Sequence, residues 1–269
     1  MLAEFESAGL SLAGPVRADN QDVILLPGPS ASNFPGSLHA VADGMGGYAN
    51  GELASRLAIQ NLLKVVRSSE TDSPPAKTLQ KASEVVNFEV YKTSQQLGSG
   101  KMGTTLTAAY IIGDFLYLLH VGDSRAYLIR HGQVTCLTSD HTLVGDLIRS
   151  RLITPEQART HAQRSVLTHA VGLELFLQPE ITQTKLQVGD RVILCSDGVW
   201  ACLADQDFAA QADQSRDVHN LVQNLIDLAL ARETDDNCSV IAIYLRGFRY
   251  QTFEAEPRKE RGWLNFFRK

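Results

Sequence analysis

The sequence predicts an α+β fold on three observations. Apolar residues recur at helical spacing through two successive early segments. Strand-like runs then follow as a group instead of alternating with helices. A late amphipathic segment sits between two short apolar runs.

Element by element, His39 lies in an apolar strand-like run that leads to Asp43. Residues 51–66 place Ala54, Leu57, Ala58, Leu62, Val65 and Val66 on one helical face. The polar stretch 68–75 ends in two prolines and reads as a loop. Helical spacing resumes over 76–97 at Leu79, Ala82, Val86 and Val90, and so short a connection implies an antiparallel helix pair. From Thr104 the period becomes strand-like: 104–112, the turn Gly113-Asp114 and 115–121 form one hairpin. Residues 125–130 and 133–137 flank His131-Gly132 as another. The segment 142–170 is polar and weakly helical, with Pro155 early in it, and reads as a candidate mobile flap. Residues 192–195 form a buried strand that delivers Asp197. Val218, Leu221, Val222, Leu225, Ile226 and Ala229 mark a further helix, and 240–245 a closing strand directly after Asp236.

With 269 residues and 44% apolar content, the chain is ample for a packed core. A net charge of −5 argues against nucleic-acid binding, which would show a basic stripe. The four cysteines, Cys136, Cys195, Cys202 and Cys238, form no CxxC pair and read as reduced structural thiols. The N-terminus is acidic where a signal peptide is basic, and no apolar run approaches the roughly 20 residues of a membrane span. The expected compartment is the cytoplasm.

Aspartates carry the chemistry. They stand in Arg17-Ala18-Asp19-Asn20-Gln21-Asp22, Ala42-Asp43-Gly44-Met45-Gly46-Gly47, Ser196-Asp197-Gly198 and Asp235-Asp236-Asn237. Most sit beside Gly or Asn, which suit the turn where a strand gives way to a loop. Two carboxylates at about 4 Å repel by roughly 4 kcal/mol at an effective dielectric near 20, so a fold that gathers several holds cations among them. All-oxygen ligands suit Mg²⁺ or Mn²⁺. Asp43 alone is either a metal ligand or an Asx cap of a glycine-rich turn, and the other motifs in the same chain favour the ligand. Arg17 is a surface arginine or, in this company, a fork for phosphate. Asp123, in His120-Val121-Gly122-Asp123-Ser124-Arg125, is a further ligand or a turn cap. Gly122-Asp123-Ser124 also resembles the nucleophile segment of one group of serine esterases. Those need Asp-x-x-His near the C-terminus, and this chain has Asp217-Val218-His219 instead. His141 and His169 are candidate proton donors, while His39 and His120 read as core or edge residues.

Taken in order, RADNQD, ADGMGG, GTTLTAAYI, HVGDSRAYLIR, LTSDHTLV, LTHAVG, LCSDGVW and DDNCSVI resemble the metal-dependent protein phosphatases, the type 2C serine/threonine class, in their bacterial form. The resemblance spans residues 8–246. It implies a four-layer α-β-β-α sandwich with two central antiparallel sheets flanked by helix pairs. It implies two Mn²⁺ or Mg²⁺ ions, with a weaker third in the manner of bacterial members. Asp43 would bridge two ions, the Gly44 carbonyl would bind one, Asp197 and Asp236 would hold the other, and Asp123 with Asp197 the third. Asp22 would orient the attacking water and Arg17 would bind the substrate phosphate. The implied reaction is hydrolysis of phosphoserine or phosphothreonine in phosphoprotein substrates by a metal-bridging water, opposing a serine/threonine protein kinase and its targets. Two positions depart from many relatives: Met45 replaces a histidine proposed as general acid, and Gln21 replaces Glu. The rival readings are a phosphatase for a small phosphoprotein of the anti-sigma-factor type, and a catalytically dead module that sequesters phosphoproteins.

The motifs reach from Arg17 to Asn237, so residues 1–246 are expected to form one catalytic domain. Residues 247–269 change composition to cations and aromatics, ending Arg261-Gly262-Trp263-Leu264-Asn265-Phe266-Phe267-Arg268-Lys269. This tail either docks on a partner or an anionic membrane surface, or packs on its own domain or frays.

Overall fold

The computed structural model describes residues 2–28, 36–46, 49–70, 72–98 and 102–249. In chain order it contains β1 (Leu2–Leu12), β2 (Asp22–Leu25), β3 (Ser37–Met45), α1 (Ala49–Ser68), α2 (Pro75–Leu97) and β4 (Gly103–Thr104). Next come β5 (Leu106–Ile112), β6 (Phe115–Val121), β7 (Arg125–Arg130), β8 (Gln133–Cys136), α3 (Leu143–Arg149) and α4 (Pro155–Arg159). The chain continues through β9 (Glu180–Lys185), β10 (Arg191–Cys195), α5 (Asp197–Trp200), α6 (Asp205–Gln214), α7 (Val218–Ala231) and β11 (Cys238–Arg249).

The strands form two antiparallel sheets, ordered β1-β11-β10-β7-β8 and β2-β3-β5-β6-β9, with β4 pairing β3. Period-2 alternation decides what packs where. In β11, Ile241, Ile243 and Leu245 join Val41, Ile111 and Leu118 of the other sheet in a core between the sheets. Their neighbours Val240, Ala242 and Tyr244 face outward onto Leu221, Leu225 and Phe208 of α7 and α6. On the far side, Leu38, Ala40 and Ala108 meet Ala58, Leu62, Leu79 and Val86 of α1 and α2. Each sheet is thus buried on both faces, and the layers read α-β-β-α, as the resemblance implied.

The expected 104–112 strand is interrupted at Thr105. Its backbone N–H donates to the Asp43 carbonyl (2.8 Å) and its hydroxyl accepts from the Asp43 N–H (2.9 Å), so it bonds to β3 partly through its side chain, and the regular ladder breaks there. The hairpin at His131-Gly132 has positive φ at both residues (51° and 74°), the conformation a two-residue turn of that kind requires. Segment 142–170 contains α3 and α4, and Pro155 opens α4 behind the Thr154 capping box. It is held at its base by Thr168 N–H to the His141 carbonyl and His141 N–H to the Gly122 carbonyl, both 2.8 Å.

β11 runs to Arg249, three residues past the expected domain end at 246, because Gly247, Phe248 and Arg249 pair with Glu4, Ala3 and Leu2. The rest of the tail, 250–269, and Gly47 of the glycine run lie outside the described residues. All four cysteines are unpaired, with Cys195 and Cys238 buried. Among the described residues no helix is long and apolar enough to cross a membrane.

Candidate metal centre

Asp22 and Asp43 face each other directly across the β2–β3 ladder. Like charges placed opposite one another in a sheet are destabilising. The second sheet adds to the crowding. β10 ends at Cys195, Ser196 N–H bonds the Ser239 carbonyl of β11 (3.1 Å), and Asp197 begins α5. Asp236 stands just before β11, and Asp123 just after β6. One end of both sheets therefore collects Asp22, Asp43, Asp123, Asp197 and Asp236, each of whose charges acts on others of the set.

Glycines allow this approach. A Cβ on Gly44 would collide with the Gly51 backbone, and one on Gly198 with the Asn237 carbonyl. Asn237 then fastens the first motif to the last. Its Oδ1 accepts from Gln21 N–H (2.9 Å), and its Nδ2 donates to the carbonyls of Ala13 (2.8 Å) and Asp19 (3.0 Å).

Asp22 is buried, and its Oδ2 accepts from the hydroxyls of Ser196 (2.8 Å) and Ser239 (2.6 Å). Its Oδ1 and the Oδ1 of Asp197 are buried with no donor. Asp43 nevertheless lies within hydrogen-bonding reach of both carboxyls. Such a contact needs a shared proton or a cation between the oxygens. Burial, opposed by the two hydroxyls, pushes Asp22 up to about 6. Burial and then the charges of Asp236 and Asp22 push Asp197 up to about 7. Asp43 is raised well above the usual carboxylate range by burial and by its neighbours, Asp22 first. Orphaned acceptors, an all-oxygen set and suppressed ionisation together fit a hard divalent cation.

Arg17 is not free. Its Nη2 donates to Asp236 Oδ2 at 2.7 Å and its Nε to the Asp235 carbonyl at 3.2 Å, with the side chain 54% exposed. The candidate phosphate fork is thus paired with a candidate metal ligand. Both Asp236 oxygens have a donor, since its Oδ1 accepts from Asn237 N–H (2.8 Å).

The histidines form their own group. His120, His141 and Glu180 bring ligand atoms within 4.8 Å of one another. His120 Nε2 faces the Ser139 carbonyl (3.1 Å), which can only accept, so that nitrogen carries a proton. His141 Nδ1 takes the Gly122 N–H (3.2 Å), which puts the His141 proton on Nε2. Neither ring turns a lone pair toward the trio's centre, so a cation finds no imidazole ligand there. Burial first, then the neighbouring His169 and Arg149, pushes His141 down to about 4, leaving it neutral near pH 7. The sequence did not single out Ser196, Ser239 or Asn237 for the positions they fix. The first and last lie inside the motifs, and Ser239 carried no signal beyond its nearness to Asp236.

Two sheets that bring carboxylates to a common end, between outer helix pairs, define a centre built for divalent cations. The chain belongs to the protein phosphatase 2C family, whose profile matches residues 18–232. It is 36% identical over 249 residues to the serine/threonine protein phosphatase PstP of Mycobacterium tuberculosis, covering 90% of this chain and 45% of that protein. The chain therefore spans less than half the length of that relative. The crystal structure of a PstP catalytic domain in complex with two manganese ions superposes with a TM-score of 0.79 at 33% identity, covering 90% of this chain and 99% of that one. Serine/threonine phosphatase Stp1 from Staphylococcus aureus superposes at 0.85 with 28% identity, covering 92% and 97%.

Proposed function

We propose that this chain is a metal-dependent serine/threonine protein phosphatase using two Mn²⁺ or Mg²⁺ ions and a weaker third. The observation that carries the reading is the pair of buried, donorless oxygens on Asp22 and Asp197 abutting Asp43. Asp43 and the Gly44 carbonyl would hold one ion, Asp43 with Asp197 and Asp236 the second, and Asp123 with Asp197 the third. Bound cations would supply an activated water near neutral pH and offset charge on the phosphoryl group. Asp22, fixed by two hydroxyls, presents Oδ1 as a rigid acceptor that orients the attacking water. Arg17, turned away from Asp236, clamps two phosphate oxygens.

The substrates in this reading are phosphoproteins, and the opposing activity is a serine/threonine kinase. A cytoplasmic setting agrees with four unpaired thiols. The division into a catalytic unit ending near 246 and a basic, aromatic tail is kept, with Gly247–Arg249 contributing to β11. For the tail, we take docking on a partner or an anionic membrane surface as the reading. Truncation after Arg249, which spares the strand, tests it: unchanged partner and lipid binding would end the docking idea.

The activity is tested by phosphate release from phosphothreonine and phosphotyrosine peptides with Mn²⁺, Mg²⁺ or EDTA. Metal-dependent turnover that prefers phosphothreonine is the expected result. No turnover with any metal, from folded protein, would favour a phosphoprotein-binding module instead.

A further inference from the structure

Asp197 and Trp200 are the first and last residues of α5, three positions apart and so on one face of a single helical turn. The indole Nε1–H of Trp200 donates to the backbone carbonyl of Asp123 at 2.8 Å. One short turn thus carries one carboxylate and grips the residue that bears another. Arg125, two residues beyond Asp123, lies over the same indole, its guanidinium carbon 3.5 Å from the ring centroid. That guanidinium also holds Asp140 through Nε (2.9 Å) and Nη2 (2.6 Å) and donates from Nη1 to the Tyr127 hydroxyl (3.2 Å). Asp140 stands at the base of the 142–170 segment, where its carbonyl accepts from Arg149 Nη1 (2.8 Å).

Asp123 is buried at 6% exposure, close enough to Asp197 and Asp140 for both charges to act on it, with Arg125 the opposing charge. A weakly held cation between Asp123 and Asp197 depends on their separation. The loop bearing Asp123 follows Gly122 at φ 105°. Trp200 ties that loop to α5.

We propose that Trp200, with Arg125 stacked on it, is a positioning residue that sets Asp123 against Asp197 and so fixes the affinity of the weakest divalent cation. This rests on the assignment of Asp123 under Proposed function. Trp200 is not itself a ligand and acts only through the Asp123 backbone.

The test is a Mn²⁺ titration of the full chain, following free Mn²⁺ by electron paramagnetic resonance, together with the melting temperature in chelator. Asp123→Asn is expected to lose the weakest ion alone. Trp200→Phe keeps a ring under Arg125 but drops the N–H. It is expected to weaken that ion about fivefold, the scale of one hydrogen bond, with the tighter ions unchanged and the chelated melting temperature lowered by no more than about 2–4 °C. Unaltered weakest-ion affinity in Trp200→Phe, where Asp123→Asn abolishes it, overturns the positioning role. If Asp123→Asn also retains that ion, the assignment of Asp123 falls and takes the proposal with it. A second measurement needs no change at Trp200. The chain has two tryptophans, so Trp263→Phe leaves Trp200 as the single indole. Its emission is expected to change with the weakest ion and not in Asp123→Asn, and emission that follows only the tight ions overturns the proposal.

Discussion

Arg17 and Asp236 form an ion pair, Nη2 to Oδ2 at 2.7 Å, in which each partner occupies the other's expected ligand. A cation at Asp236 and a phosphate at Arg17, as proposed, would both pull the pair apart. Arg17→Gln is therefore expected to tighten Mn²⁺ binding about twofold to fivefold, the range for an exposed pair, as read by calorimetry. The same variant is expected to lose about 10²-fold in kcat/KM on a phosphothreonine peptide. Weaker Mn²⁺ binding in Arg17→Gln would show that the pair supports the ion site instead of competing with it.

Asp43 pays twice for its position, since it faces Asp22 across the ladder and meets Asp197 from the other sheet. Asp43→Asn is expected to abolish metal-dependent turnover while raising the melting temperature of the metal-free protein by about 2–4 °C, near 1 kcal/mol. A folded Asp43→Asn variant with full turnover sinks the assignment. The raised carboxyls also set a pH dependence. Unfolded aspartates titrate near pH 4, whereas Asp22 and Asp197 hold their protons to about 6 and about 7. Between those limits the folded, metal-free chain binds more protons than the unfolded chain, so these groups lower stability as pH rises from about 4 to about 7. Melting in EDTA across that range, compared with Asp43→Asn, isolates the contribution.

His39 works in the opposite direction. Its ring is buried edge-on to Phe5 (centroids 5.5 Å apart), its Nε2 has no partner, and burial pushes it down to about 3. The unfolded chain takes up the proton near pH 6.5 and the folded chain does not, so acid removes stability from about pH 6.5 downward, by at most about 1.4 kcal/mol per pH unit. His39→Leu is expected to be at least as stable at pH 7 and to lose less on acidification to pH 4. Identical acid profiles for the two proteins would contradict this.

Asn237 makes side-chain bonds to Gln21, Ala13 and Asp19. Asn237→Ala strands a backbone N–H and two carbonyls, a loss of about 2–4 kcal/mol in urea unfolding. Because the released segment carries Arg17 and Asp22, turnover at saturating Mn²⁺ is expected to fall as well. A stability loss with unchanged turnover would show that Asn237 holds the fold and not the site.

Where burial is one-sided or complete, the sequence was readable. β6 and α7 begin where the apolar period placed them, and α1 and α2 extend only slightly past it. The strands and helix that escaped notice are those with little buried surface. β1 is mostly half-buried, interleaved with Glu, Ser and Gly; β9 is the polar edge strand Glu180–Lys185; α6 buries only Phe208 and Ala212. The aspartates stood out because glycine and asparagine accompany them. Ser196 and Ser239 did not, because a hydroxyl that donates to a carboxylate leaves no spacing pattern, and the Arg17–Asp236 pair joins residues 219 positions apart.

The pairing of β1 with β11 along its whole length carries a consequence for how the molecule is made. The first strand of the domain pairs with its last, and β10 meets the same partner on its other edge. Closing so long a loop delays the rewarding contact, which makes folding slow and all-or-none at this seam. Asp236 arrives with that last strand, so a nascent or truncated chain lacks both the closed sheet and the final carboxylate. During synthesis the set of carboxylates stays incomplete until the approach to β11 has been made.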